Sequence, residues 1–411
     1  MITFVHTADI HFGMENYGRV DQKTGIHTRL LDFERALSYC IDVAIERKVD
    51  FFLFCGDAYK TTNPSPTQQK LMMGCLLRLY QAQIPIIIIV GNHDNPLSFG
   101  KSHALELFAD LPVGGFHVIS KPKTIRLETK NGPINIVGIP WPTRNSLAIS
   151  FKHNFKDANQ LTDYIASGVS QIIADMAAEL DPDIPAVLAG HLTVSSGVFS
   201  GSERRAIYGT DPVILPSQLA IKPFDYVALG HLHRHQNLNS NGYPSVIYSG
   251  SIERIDFGER KEEKGFCLVS IPKKNKASYT FIKTPIRPFH QIEVKLSGEE
   301  NQTQQILAKI KKYDVKDAVL KIVYHVPADA QDTVSLNAIE HACRDAIYVV
   351  GVFPVHIPKT RTKRSSLKVD MSLQTLLASY FEQHAEWKDK KDELIKKALF
   401  MEQEIETEIS S

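Results

Sequence analysis

Ile86-Ile87-Ile88-Ile89-Val90-Gly91-Asn92-His93-Asp94 is the stretch that decides the fold of this 411-residue chain. An unbroken β-branched run of this length, bounded by Pro85 and Gly91, reads as a short strand. The polar cluster behind it stands where a strand ends and a loop begins. The same pattern recurs on either side. Thr3–Thr7 leads into Asp9 and His11, Phe51–Phe54 into Gly56-Asp57, Ala186–Ala189 into Gly190-His191, and Tyr226–Leu229 into Gly230-His231-Leu232-His233. Leu30–Arg47 and Thr67–Gln83, between the first three strands, have helical texture. Strands alternating with helices predict an α/β layer structure. The runs 116–139 and 245–271 have turn-rich flanks, Asn131-Gly132 and Asn241-Gly242, and are expected to be antiparallel. Two sheets packed face to face, with helices outside, accommodate both groups.

In open α/β sheets, ligands bind beyond the carboxyl ends of the strands. Asp9, His11, Asp57, Asn92, His93, His191, His231 and His233 are therefore expected to meet at one edge. Carboxylate, imidazole and amide oxygen without thiolate suit divalent manganese, iron or zinc better than a structural zinc. A shared aspartate suits two ions.

Composition bounds the class. Hydrophobic residues make up 43% and charged residues 23%, which excludes disordered, collagenous and membrane-embedded chains. Lys+Arg at 47 against Asp+Glu at 46 leaves a formal +1, so no global basic field points to nucleic acid. Two divalent cations would add positive charge where phosphate must bind. Cys40, Cys55, Cys75, Cys267 and Cys343 form no C-x-x-C pair, which reads as buried thiols in a reducing compartment. The first strand is interrupted by His6, Asp9 and His11 and does not read as a secretory signal. Ile84–Val90 is too short for a bilayer and contains Pro85. The expectation is a soluble cytoplasmic protein with no membrane contact.

After Ile271 the texture changes. Phe289–Leu296, Val319–His325 and Val349–Ile357 read as strands, and Thr303–Tyr313 and Leu336–Ile347 as helices, a small βαβαβ module. Pro358–Val369 carries Lys359, Arg361, Lys363, Arg364 and Lys368 and no acid. Leu373, Leu376, Leu377, Tyr380 and Phe381 repeat at helical spacing, and a last helix carries Trp387, Leu394, Ala398, Met401 and Ile405 on one face. The expected division is 1–275, 283–357, a basic linker at 358–371, and a helical region at 372–411.

The series Asp9-Ile10-His11, Gly56-Asp57, Gly91-Asn92-His93-Asp94, Gly190-His191 and Gly230-His231-Leu232-His233 resembles the signatures of the calcineurin-like metallophosphoesterases, in the family's order, over residues 1–271. Within that family it is most similar to the SbcD subfamily, the bacterial double-strand-break repair nucleases. Tyr248-Ser249-Gly250-Ser251, Lys264-Gly265 and the Gly201-Ser202-Glu203-Arg204 loop carry that closer likeness, with the small second domain and the helical C-terminus. The resemblance implies a four-layer β-sandwich of two mixed sheets flanked by helices, with a βαβαβ capping domain and C-terminal helices. It implies a metal-dependent DNA nuclease in repair, recombination and replication. That nuclease would be a 3′ to 5′ exonuclease on double-stranded ends and an endonuclease on single strands and hairpins, associated with the nucleoid. The implied partners are double- and single-stranded DNA, a second copy within a heterotetramer, and the SbcC ATPase, docked on Leu373, Leu376, Leu377, Tyr380 and Phe381.

The resemblance also implies roles. Asp9, His11, Asp57 and His233 would hold one ion, and Asp57, Asn92, His191 and His231 the other, with Asp57 bridging. The family favours two manganese ions, with magnesium the alternative. They would clamp the phosphodiester roughly 3.5–4 Å apart. His93 would stabilise the transition state or protonate the leaving 3′ oxygen, and Asp94 would orient His93. Related nucleases can place a histidine three residues after the bridging aspartate. Lys60 stands there in this chain and is expected to contact the scissile phosphate. Arg204 and Arg205 are candidates for DNA phosphate contact. His6 reads as buried packing and His235 as a loop residue. The rival readings are a phosphodiesterase for a small nucleotide and a non-catalytic DNA-end binder.

Overall fold

The computed structural model describes residues 1–95, 102–110, 114–143, 158–201, 211–297, 301–328, 330–356, 372–383 and 385–409. Its organisation follows from the parity of the buried strands. Ile86 and Ile88 pack in one apolar cluster, Ile87 and Ile89 in another, and all four are fully buried. Side chains alternate faces along a strand, so a run with no polar residue must be covered on both sides. Phe52 and Phe54 follow Ile86 and Ile88, whereas Phe51 and Leu53 follow Ile87 and Ile89. Burying each such side chain contributes about 1.5–3 kcal/mol.

One face of this sheet is covered by the helices Thr28–Glu46 and Pro66–Gln81, through Phe33, Leu37, Ile41, Met72, Leu76 and Leu79. The second helix starts at a capping box, in which Ser65 and Gln68 satisfy each other's backbone N–H, with Pro66 in the first turn. The other face meets a second sheet through Ile134, Ile136, Val187, Ala189, Tyr226 and Ala228. The outer face of that second sheet, with Val137, Leu188 and Val227, is covered by Ile165, Val169 and Ile173 of the helix Ala158–Ala178. The result is helix, sheet, sheet, helix.

Both sheets are mixed. The first runs Ser278–Lys283, Gly265–Ile271, Ile2–Thr7, Phe51–Phe54, Ile86–Ile89, Phe116–Ile119. The second runs Gln236–Asn237, Ser245–Tyr248, Tyr226–Gly230, Ala186–His191, Gly132–Ile139, Lys123–Thr129. The antiparallel expectation for 116–139 and 245–271 holds only in part. Lys123–Thr129 pairs antiparallel with Gly132–Ile139 across Asn131-Gly132, and Gly265–Ile271 pairs antiparallel with Ile2–Thr7. Phe116–Ile119 instead lies parallel to Ile86–Ile89, and Ser245–Tyr248 parallel to Tyr226–Gly230. The Asn241-Gly242 turn closes only a short hairpin between Gln236–Asn237 and Ser245–Tyr248. Ser245–Tyr248, beyond it, keeps the direction of the central strands, so their carboxyl ends share one edge.

A three-stranded sheet follows in the order Phe289–Lys295, Val319–Val326, Tyr348–His356, accompanied by the helices Gln302–Ile310 and Leu336–Ala342. The chain forms two compact units: residues 1–292, 307–322 and 336–352, and residues 293–306, 323–335 and 353–411. The first contains both large sheets. The second contains the helices Leu373–Gln383 and Lys391–Ile409. Among the described residues, no helix is long and apolar enough to cross a membrane.

Candidate metal centre

The strand ends deliver their polar residues to one place, and the backbone is bent to do it. Asp9, His11, Asp57 and His231 all adopt positive φ, at 53°, 51°, 59° and 105°. Residues other than glycine are strained in that conformation, and such strain collects at functional sites. Two loops zip together to hold it: Asp9 N–H donates to Gly56 O at 3.0 Å, His11 N–H to Asp57 O at 3.0 Å, and Phe12 N–H to Ala58 O at 2.9 Å. Gly91 and Gly230 allow the close approach. A Cβ at Gly91 would overlap the Asp57 carboxylate, and one at Gly230 the Cys55 carbonyl.

The convergent side chains form three overlapping triads, Asp9 with His11 and His233, His11 with Asp57 and the exposed His93, and Asp57 with His191 and His231, each with its ligand atoms within 4.8 Å of one another. His11 Nε2 and His233 Nε2 lie 3.1 Å apart, and Asp57 Oδ2 lies 3.6 Å from His11 Nε2 and 3.4 Å from His191 Nε2. Asn92 Oδ1 lies 2.9 Å from His191 Nε2 and 3.1 Å from His231 Nδ1. The Asp9 carboxylate accepts the His231 N–H at 3.0 Å, and Asp57 Oδ1 accepts the His93 N–H at 2.9 Å.

This donor set fits divalent cations. Two imidazole nitrogens that face each other at 3.1 Å need a proton or a cation between them. Asp9 and Asp57 are buried, and among the described residues no lysine or arginine pairs with either. Burial raises Asp9 to about 7. Burial would raise Asp57 too, but the surrounding rings of His191, His11 and His93 together outweigh it and hold Asp57 well below the usual carboxylate range. Burial pulls His191 down, and Asp57, Asp9 and the Cys55 carbonyl together outweigh that and bring it up to about 9. Carboxylate oxygens, imidazole nitrogens and one amide oxygen, with no thiolate, suit manganese, iron or zinc.

Residues 2–235 match the calcineurin-like phosphoesterase family, more than half of the chain. The chain belongs to that family. It is 30% identical over 334 residues to the D subunit of the SbcCD nuclease of Staphylococcus saprophyticus, covering 78% of this chain and 79% of that one, and is of the SbcD type. Among solved structures it is similar to a dimetal phosphatase from Danio rerio, with 9% identity, 69% of this chain, 99% of that chain and a TM-score of 0.39. It is also similar to the protein TT1561 of Thermus thermophilus, with 12% identity, 68% of this chain, 98% of that chain and a TM-score of 0.37. The chain is a phosphoesterase, and the triad residues lie within the matched segment.

Within this phosphoesterase site, one expected contact is absent and another replaces it. The Asp94 carboxylate makes no hydrogen bond to the His93 ring. It accepts backbone N–H groups of Asp57 at 2.8 Å, Ala58 at 3.0 Å, Tyr59 at 3.2 Å and Gly91 at 3.1 Å. Asp94 therefore holds the loop that carries Asp57. Burial, with Asp57 nearby, raises its carboxyl to about 6, and the N–H bonds oppose that. The His93 ring is oriented by the carbonyl of Lys60, 2.8 Å from its Nδ1. Lys60 thus meets His93 through its main chain, and its side chain is exposed. The His93 ring lies edge-on to His11, with centroids 4.8 Å apart.

Arg204 and Arg205 lie outside the described residues, as does the linker 357–371. Leu373, Leu376, Leu377, Tyr380 and Phe381 lie on one helix of the second unit, where Tyr380 is 55% exposed and the others are partly buried. His6 is fully buried, and its ring nitrogens meet Tyr226 Oη at 3.1 Å and Leu229 O at 3.2 Å. His235 stacks on Phe281 with centroids 4.1 Å apart.

Three residues behind the ligand positions escaped the sequence reading. Asp211 Oδ2 lies 3.4 Å from His231 Nε2, a buried atom with no hydrogen bond among the described residues. The Trp141 ring covers His231, with centroids 4.8 Å apart. Glu259 Oε1 lies 2.9 Å from His233 Nδ1. Asp211 and Glu259 sit in no strand-end motif, and Trp141, two residues after the strand Gly132–Ile139, is not a metal-ligating type, so no spacing in the sequence flags them.

Proposed function

We propose that this chain is the nuclease subunit of an SbcCD-type complex, a metal-dependent phosphodiesterase that acts on DNA. It cuts double-stranded ends 3′ to 5′ and nicks single strands and hairpins. The observation that carries this reading is the cluster of donor triads in which Asp57 Oδ2 lies between His11 Nε2 at 3.6 Å and His191 Nε2 at 3.4 Å, in a chain related to the D subunit of an SbcCD nuclease. Asp9, His11, Asp57 and His233 would hold one manganese ion, and Asp57, Asn92, His191 and His231 the other; magnesium is the alternative. When bound, such ions supply positive charge for the phosphodiester and acidify water.

The chain's own residues supply the rest. His93 is exposed, and the Lys60 carbonyl fixes its Nδ1–H, so Nε2 faces the substrate side. As an imidazolium it donates from Nε2 to the leaving 3′ oxygen. Asp94 keeps the Asp57 loop in place through four backbone N–H groups. The Lys60 side chain, and Arg204 and Arg205, contact DNA phosphates. Residues 1–275 form the nuclease domain, 283–357 the cap, 358–371 a basic linker, and 372–411 the region that docks on the SbcC ATPase. Two copies form the core of a heterotetramer in the cytoplasm, on the nucleoid.

The test is a manganese-dependent assay on a hairpin-ended duplex, with and without the ATPase partner, beside a bis-phosphodiester dye. Release of nucleotides and hairpin opening, both raised by the partner with ATP, are expected. Turnover of the dye with intact DNA would favour a small-nucleotide phosphodiesterase. A chain that binds DNA ends and no manganese would be a non-catalytic binder.

A further inference from the structure

His233 is gripped from behind by a buried ion pair that no strand-end motif contains. Glu259 and Lys264 are both buried, at 0% and 1% exposure, and their charged groups lie 2.9 Å apart. Glu259 Oε1 meets His233 Nδ1 at 2.9 Å, while Oε2 takes Lys264 and the N–H of Ile255 at 2.8 Å. The Lys264 ammonium directs its other donors to the His233 carbonyl at 2.9 Å and to Glu262 Oε2 at 3.1 Å. Three donors thus meet three acceptors. The same pair holds both the ring and the main chain of His233.

A buried ion pair is weak evidence for stability, because desolvation offsets the attraction. What this pair does is local. A carboxylate opposite Nδ1 keeps the proton there and turns the Nε2 lone pair inward, towards Asp9 and His11. The turn cannot swing away. Arg254 donates to Glu259 O at 3.3 Å, to Glu262 O at 3.4 Å and to Arg287 O at 2.7 Å.

We propose that Glu259, locked by Lys264, is the positioning residue that fixes His233 as a cation ligand through Nε2. The inference rests on the reading of Asp9, His11 and His233 as ligands. Glutamine at 259 offers one acceptor oxygen where two are needed. Lys264 claims that oxygen, and the amide NH2 then faces Nδ1. This selects the tautomer with its proton on Nε2, where the lone pair was.

The experiment titrates manganese alone into the full chain and into Glu259→Gln by calorimetry. Wild type is expected to bind two ions. The variant is expected to bind one of them about 10–100-fold more weakly and the other unchanged. A wild type that binds no manganese overturns the ligand reading itself. A wild type that binds two, with a variant that binds both equally well, overturns the role of Glu259; so does an equal loss at both, the mark of a collapsed site. If Glu259→Gln does not fold, 15N-histidine NMR of the wild type decides. His233, assigned by its loss in His233→Asn, must carry its proton on Nδ1, and a proton on Nε2 overturns the proposal.

Discussion

The Asp94 carboxylate accepts the backbone N–H of Asp57 at 2.8 Å, so the residue after the exposed histidine is an anchor for the loop of the central aspartate. Removing a buried acceptor that serves several donors leaves each donor unpaired, at about 1–3 kcal/mol apiece. Asp94→Ala is therefore expected to lower stability by several kcal/mol and to weaken manganese binding, because the Asp57 loop loosens. Urea denaturation and manganese calorimetry check both. If Asp94 acted only through His93, both quantities would stay at wild-type values and only cleavage would fall.

His93→Leu separates the two residues. The His93 ring is exposed and meets the protein at Nδ1 through one carbonyl, that of Lys60. Its removal is expected to keep manganese and DNA binding and to slow cleavage by about 10²–10⁴-fold, the span of a general acid. Calorimetry, filter binding and single-turnover cleavage measure the three quantities. Loss of manganese in this variant would make His93 a ligand, which its approach to His11 and Asp57 within 4.8 Å makes a sharp alternative.

What the sequence made legible follows from where the physics is local. Ile86–Ile89 and Phe51–Phe54 announce doubly covered strands because every side chain on both faces is apolar. The residues that converge on the site were legible because each sits at or just after a strand end. The partners of those residues were not, because they come from far along the chain. Glu259 reaches His233 from 26 residues away, in a turn whose sequence says nothing about histidine. Asp94 misled for the opposite reason: adjacency to His93 suggested contact with its ring, whereas neighbouring side chains in a tight turn diverge. The directions of Phe116–Ile119 and Ser245–Tyr248 were hidden because a turn dipeptide marks a reversal without saying which strands it joins.

Removing the chain from Ser372 onward tests the C-terminal helices. Tyr380, Trp387, Phe400 and Met401, spread over the helical segments Leu373–Gln383, Ala385–Lys390 and Lys391–Ile409, are 55%, 44%, 60% and 54% exposed, apolar surface available to a partner. The truncated protein is expected to retain manganese-dependent nicking and to lose ATP-stimulated cleavage with the partner. Stimulation that survives the truncation would place the partner's docking surface elsewhere.

Burial lowers His6 from 6.5 to about 3, with His235 adding to the effect and the hydrogen bond at Leu229 O opposing it. The native chain therefore refuses a proton that the unfolded chain binds between pH 6.5 and 3. Stability rises with pH across that window and is lost as pH falls towards the native value. The whole span is worth on the order of 5 kcal/mol. Glutamine at this position cannot titrate. Urea denaturation at pH 6.5 and pH 4.5 is therefore expected to show wild type losing about 2–3 kcal/mol more than His6→Gln. Every other titrating group is common to both proteins and cancels in the comparison. Equal losses would mean that His6 carries a proton inside the fold, and that Tyr226 Oη and Leu229 O both accept from it.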